Sequence, residues 1–306
     1  MTGRGMTDAR RRLPGTVYMV GRRTEQRVHL FRPDALMNQV FLYCLGVAAQ
    51  KTNVSVMAAN LMSNHYHVVV VDHEGRICEM MEYMNALLTK TTQVMRGWVG
   101  RVFDGEGPSY VELTTPAVII EKCGYTLANP TAAGLVRFSK EWPGVRTRVE
   151  DIGERTLTIE RPSAFFAEDG TMPAMVEIPL ELADVVIHTF GVKQARERIA
   201  DAVARHEAKG HTEAAAKGWA FKGAERVLKS SPYSRAKTLE DRRRINPRYA
   251  GDAEAIKAAA ARDADFRERY AIARERWLAG DRLVVWPAGT YAMKRWHRVP
   301  CEQPPS

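Results

Sequence analysis

The sequence predicts an α+β fold: an antiparallel sheet of the ferredoxin-like (RRM-like) kind with helices on one face, followed by a mostly helical C-terminal extension. Three observations carry that expectation. Strand-like and helix-like segments follow one another as β-α-β-β-α-β-α over the first half of the 306 residues. The stretch "HYHVVVVD", residues 65–72, contains four consecutive valines, as a central strand covered on both faces requires. Past "EWPGVRTRVEDIG" the character changes, first to short segments marked by Pro162, Pro173 and Pro179, then to long helical runs, the last rich in alanine, arginine and glutamate.

Taken in order, "TVYMVGRR" from Thr16 to Arg23 reads as the first strand, and a helix from about Asp34 to Lys51 follows with Pro33 and Asp34 as its start signal. "VSVMAANLM" and "HYHVVVVD" are two strands separated only by Ser63 and Asn64, the spacing of a tight hairpin. A second helix is expected from about Arg76 to Val99, with Ile77, Met80, Met81, Met84, Leu87 and Leu88 at helical spacing as its core stripe. Tyr110 to Leu113 forms a short strand, and Thr115-Pro116 opens a helix through Ala128, which Pro130 breaks or restarts. Two helices on one side leave the other face of the sheet available for binding, although the all-valine strand requires some further cover there. In the second half, helices are expected over 192–209, 213–229 and 252–278, with a closing hairpin turning at Pro287 to Gly289. The working boundary lies near residue 150, giving units 1–150 and 151–306.

The formal charge of +9 suits a polyanionic partner, and its placement is uneven. Residues 1–32 hold eight arginines against Asp8 and Glu25, and residues 222–249 hold nine basic residues, including Arg242, Arg243 and Arg244, against three acids. A solvated face explains one such run; two of them flanking a histidine pair favour nucleic acid. Cys44, Cys78, Cys123 and Cys301 are far apart, so neither a zinc knuckle nor a disulfide framework is expected. No apolar run is long enough to cross a bilayer, and the arginine-rich start lacks the apolar segment of a signal peptide, so a cytoplasmic protein without a membrane partner is expected.

Chemistry concentrates in two places. His65 and His67 point to the same side of their strand because side chains alternate with a period of two, so the pair either holds a divalent ion or consists of two ordinary strand histidines. Tyr125 and Asn129, four apart, share one face of a helix; the alternatives are a tyrosine packed on the sheet and an N-cap for the segment starting at Pro130.

Together, the "SNHYH" strand, the Tyr-x-x-x-Asn-Pro helix running on to "AAGLV", and the following "WPGVRT" resemble the REP-associated tyrosine transposases of the single-tyrosine HUH superfamily, over roughly residues 14–147. The resemblance implies an HUH endonuclease fold with a basic N-terminal arm in residues 1–150 and leaves 151–306 as a basic accessory region. It implies that His65 and His67 are ligands of Mg²⁺ or Mn²⁺, with Asn129 as third ligand. Tyr125 would be the nucleophile of a DNA transposase that cuts single-stranded or hairpin DNA through a 5′-phosphotyrosine. Tyr66, between the histidines, faces away and is no second nucleophile. Arg22 and Arg23 are expected beside the DNA stem, and Arg242, Arg243 and Arg244 on its phosphates. The "RGWVGRVFDGEGPS" stretch is looser than the family's tryptophan-plus-arginine signature. Two other classes compete: a catalytically idle, domesticated protein that only binds hairpin DNA, and a metal hydrolase using water. The complete His, Tyr and Asn set favours the transferase over the first, and the absence of clustered carboxylates disfavours the second.

Overall fold

The computed structural model describes residues 9–237 and 248–304, so Arg242, Arg243 and Arg244 lie outside the described residues. Strands β1 (Thr16–Arg23), β2 (Val54–Met62), β3 (His65–Asp72) and β4 (Ser109–Leu113) form a sheet in the order β2-β3-β1-β4, each neighbour antiparallel. A two-residue strand, β7 (Tyr249–Ala250), adds to the free edge of β4 in parallel. The hairpin turn falls at Ser63 and Asn64, so Met62 pairs with His65.

Helix α1 (Ala35–Thr52) starts where its signals place it: the Asp34 carboxylate accepts the Met37 backbone N–H at 3.0 Å, and the left-handed Asn53 ends it. Together with α2 (Ile77–Arg96) it covers one face of the sheet, burying Tyr18, Val20, Tyr66, Val68 and Val70 against Phe41, Leu45, Met80 and Met84. The opposite face is not left available for binding: it carries the further cover that the all-valine strand requires. Val17, Val69, Val71, Val111 and Leu113 pack there against α3 (Pro116–Ala132) and α4 (Asp184–Ala216), through Ile120, Leu127, Ile199 and Val203. Each such side chain contributes about 1.5–3 kcal/mol by leaving water, so leaving that valine face bare would cost several times more than any one contact.

Helix α3 continues through Pro130 to Ala132, where the sequence suggested a break, and Asn129 is therefore an interior, buried residue and no N-cap. Proline lacks the N–H that would bond the carbonyl four residues back. That carbonyl belongs to Thr126, and the Asn60 side-chain amide donates to it at 2.7 Å instead. A bulge between Val56 and Ala58 makes this possible, because the extra residue Met57 flips everything after it to the other face of the sheet and turns Asn60 toward α3.

In the second half, β5 (Thr156–Glu160) and β6 (Met175–Pro179) pair antiparallel, and β6 lies so close on α1 that a Cβ on Gly46 would be 2.7 Å from Val176 Cγ2. The expected helix over 213–229 does not form: α4 stops at Ala216, Gly218 and Gly223 both adopt positive φ (63° and 82°), and only α5 (Ala224–Leu228) follows. Helix α6 (Ala253–Leu278) matches its expected span. No hairpin turns at Pro287; Trp286 instead bridges to Cys301, with α7 (Ala292–His297) between them. The long amphipathic side chains of "MKRWH" favour a short exposed helix over a second strand. All four cysteines are free thiols. No helix among the described residues is long and apolar enough to cross a membrane.

Candidate active site

The first turn of β3 sets His65 and His67 on the α3 side of the sheet, with their ring centroids 5.1 Å apart. Opposite His67, β1 places Gly21, and the glycine is required there: a Cβ would be 2.8 Å from His67 Nδ1. That nitrogen is buried and has no hydrogen-bond partner. His65 Nδ1 lies 2.7 Å from Asn64 Oδ1, so with the amide so oriented it carries the proton and donates. Its Nε2 lies 3.3 Å from Asn129 Oδ1. With Nδ1 protonated the two acceptors would share a cation, whereas with Nε2 protonated the ring N–H donates to the amide oxygen.

Both imidazoles are held neutral, as ligation requires. Burial pushes the His65 pKa well below its usual value, and His67 and Arg23 add to the effect. For His67, burial, then Arg23 and Lys122, lower it to about 4. Among the described residues no cluster of three His, Cys, Asp or Glu side chains is placed to hold a metal, so a divalent ion here would depend on the Asn129 amide and oxygen ligands from outside the chain.

Tyr125 projects from α3 one turn before Asn129, half-buried, its ring edge-on to His67 at 5.8 Å. On its other side stands His206 of α4, also edge-on, at 5.6 Å. His206 Nε2 is 2.8 Å from Glu121 Oε1, and Arg205 holds the second Glu121 oxygen at 2.8 Å. The Lys122 ammonium lies 5.3 Å from the Tyr125 ring centroid. Helices α3 and α4 run side by side in parallel, with Gly124 against Ala202 so closely that a Cβ would be 2.4 Å from the Ala202 Cβ. Sequence reasoning missed His206; a helix was foreseen over 192–209, yet nothing in its pattern says which face meets Tyr125.

Strand alternation separates the two arginines expected to act together. Arg23 pairs with His65 and lies on the histidine side. Arg22 pairs with Tyr66 and turns to the other face, its guanidinium 4.5 Å from the Phe103 ring centroid. Trp98 Nε1 donates to the Arg101 carbonyl at 2.9 Å, and its ring stacks on Tyr233 of the C-terminal half at 6.4 Å.

Solved structures similar to this chain include the following two. One is a REP-associated tyrosine transposase bound to a REP hairpin, 13% identical, with a TM-score of 0.40 over 48% of this chain and 85% of the other. The second is a candidate transposase from Deinococcus radiodurans R1, 12% identical, with a TM-score of 0.26 over 36% of this chain and 84% of the other. No family model and no curated protein matches the sequence. At these scores the likenesses carry no weight for the chemistry, which rests on the residues described above.

Proposed function

We propose that the chain is a metal-dependent single-stranded DNA endonuclease and strand transferase that acts on hairpin DNA through Tyr125. The β2-β3-β1-β4 order supports reading its first half as a ferredoxin-like HUH unit. One arrangement carries the function: a half-buried tyrosine stands edge-on to the buried His67, beside a second buried imidazole, His65, whose Nε2 lies 3.3 Å from the Asn129 amide oxygen.

His65, His67 and Asn129 would hold Mg²⁺ or Mn²⁺, which when bound polarises a non-bridging phosphate oxygen and offsets negative charge on the reacting phosphate. The neutral donors leave the charge of that ion undiminished. Tyr125 Oη attacks phosphorus, the bond from phosphorus to the 3′ oxygen breaks, and the phenolic proton ends on the released 3′-OH. The product is a 5′-phosphotyrosine, which conserves the phosphodiester bond energy, so a second 3′-OH attacks it and restores the free tyrosine. His67 and His206 fix the ring of Tyr125 between them, which keeps the nucleophile in line with the phosphate. Arg23 and Lys122, the cations nearest the pair, would attract the strand's phosphates.

The test is a denaturing gel of an end-labelled hairpin oligonucleotide incubated with the chain and Mn²⁺ or Mg²⁺. A slow-migrating protein-DNA adduct is expected from the wild type and none from Tyr125→Phe. An adduct that survives in Tyr125→Phe would refute the assignment, and binding without any adduct would favour an idle hairpin-binding protein.

A further inference from the structure

The C-terminal ends of α3 and α4 carry aromatic rings that belong to none of the packed cores. Phe138, just past α3, meets His211 of α4 edge to face at 5.5 Å, and His211 meets Phe221 the same way at 5.5 Å. The Arg137 carbonyl, 2.6 Å from His211 Nε2, holds the middle ring in the row. Trp219 lies between His211 and Phe221 in the chain. It is 52% exposed and Phe138 38%, values far from those of core aromatics.

Cations cover these rings. The Arg137 guanidinium and the Lys140 ammonium are 5.9 and 5.8 Å from the Phe138 centroid, and the Lys217 ammonium is 4.6 Å from that of Trp219. The neighbouring carboxylates are engaged locally. Glu141 accepts the Phe138 backbone N–H at 3.2 Å, Glu207 accepts from the backbone and hydroxyl of Ser139 at 2.7 and 2.5 Å, and Glu213 lies 3.9 Å from Lys217. The row is also close to the nucleophile. Gly124 meets Ala202 and Gly210 meets Ala132, so the helices stay in step, and the five residues from His206 to His211 span a rise of about 7.5 Å.

We infer that this row is a stacking platform for single-stranded DNA continuous with the strand held at Tyr125, an inference that rests on the function proposed above. Bases offer π faces and phosphates offer negative charge, and the exposed rings and the cations beside them at this end of α4 suit both. An apolar protein surface seated there would leave Arg137 and Lys140 without counter-charge, which favours a polyanion.

The experiment uses the full chain in EDTA, where no cleavage intervenes, and follows fluorescence anisotropy of one hairpin with and without an oligothymidine tail. Phe138→Ala and Trp219→Ala should each weaken the tailed hairpin about fivefold or more, the lower end of base-on-ring stacking, and leave the blunt hairpin unchanged. Trp219→Phe should keep most of the tail's advantage, and oligothymidine alone should quench Trp219 emission. An unchanged ratio of tailed to blunt affinity in both alanine variants would overturn the inference, as would an equal loss on the two DNAs. Ring-dependent self-association without a tail effect would also overturn it and would mark a protein-docking face. A tail effect in a protein that forms no adduct would leave the platform standing and remove the proposed chemistry, so the two failures are distinguishable.

Discussion

At the scale of single residues, the site is built from imidazoles that burial keeps neutral. His67 titrates near 4 and His65 well below its usual range, both chiefly because desolvation disfavours the imidazolium. In the unfolded chain both would titrate near 6.5. Between those limits the unfolded state binds more protons than the folded one, so stability is full above about pH 6.5 and falls as the pH drops toward 4. Thermal melts of the metal-free chain should therefore show the midpoint decreasing across that window, and the His65→Gln, His67→Gln double variant should show a flatter profile. A wild-type midpoint with the same slope as the variant would mean the rings are solvated and no ligand pair is preformed. His65, His67, Tyr125 and Asn129 were legible as candidates because strand and helix periods aim them. Arg22 and Arg23 were not separable without applying that same alternation to β1, where one residue of offset sends them to opposite faces.

At the scale of elements, the Pro130 position explains both what the sequence showed and what it hid. A proline after Asn129 reads as a break, because its missing N–H leaves one carbonyl unbonded. Whether the helix survives depends on a partner from elsewhere, and Asn60 reaches Thr126 O only because a bulge turns β2 over. Nothing in "VSVMAANLM" announces that bulge. Asn60→Ala should cost about 1–3 kcal/mol in urea unfolding, the penalty for an unsatisfied buried carbonyl, and Pro130→Ala in the same chain should recover much of it by restoring the helical bond. An Asn60→Ala variant as stable as the wild type would show that water or a shift of α3 satisfies Thr126 O. The same logic covers α4: its existence was foreseen, while its contact with α3 depends on the small pair Gly124 and Ala202, which sequence alone does not match up.

Across the whole molecule, the second half is woven into the first. Residues on both sides of position 150 share one core, in which Val69 and Val111 pack with Ile152, Leu182, Ile199 and Val203. Chain 230–235 lies along the β1–α1 connection, with the Ser234 carbonyl accepting the His29 N–H at 2.7 Å and the Ser230 carbonyl accepting from Arg32 at 3.3 Å. β7 lengthens the sheet at β4. Most directly, α4 carries His206 to Tyr125, so the half that shows no chemical motif in the sequence supplies a ring beside the proposed nucleophile. His206→Ala should lower the turnover of hairpin cleavage about tenfold or more, as misplacement of a reacting group does, with little change in the apparent KM. His206→Phe, which keeps a ring edge against Tyr125, should recover part of the loss. A change confined to KM would instead assign His206 to DNA binding.

The central claim is that Tyr125 becomes covalently joined to DNA, and mapping the linked peptide tests it most directly. After reaction with a hairpin oligonucleotide in Mn²⁺, nuclease trimming and tryptic digestion, mass spectrometry should find a nucleotide phosphate on the peptide containing Tyr125 and on no other tyrosine. The modification should disappear when Asn129→Ala is combined with the two histidine substitutions. A nucleotide on Tyr66, on Tyr249 or on any residue other than Tyr125 would contradict the account.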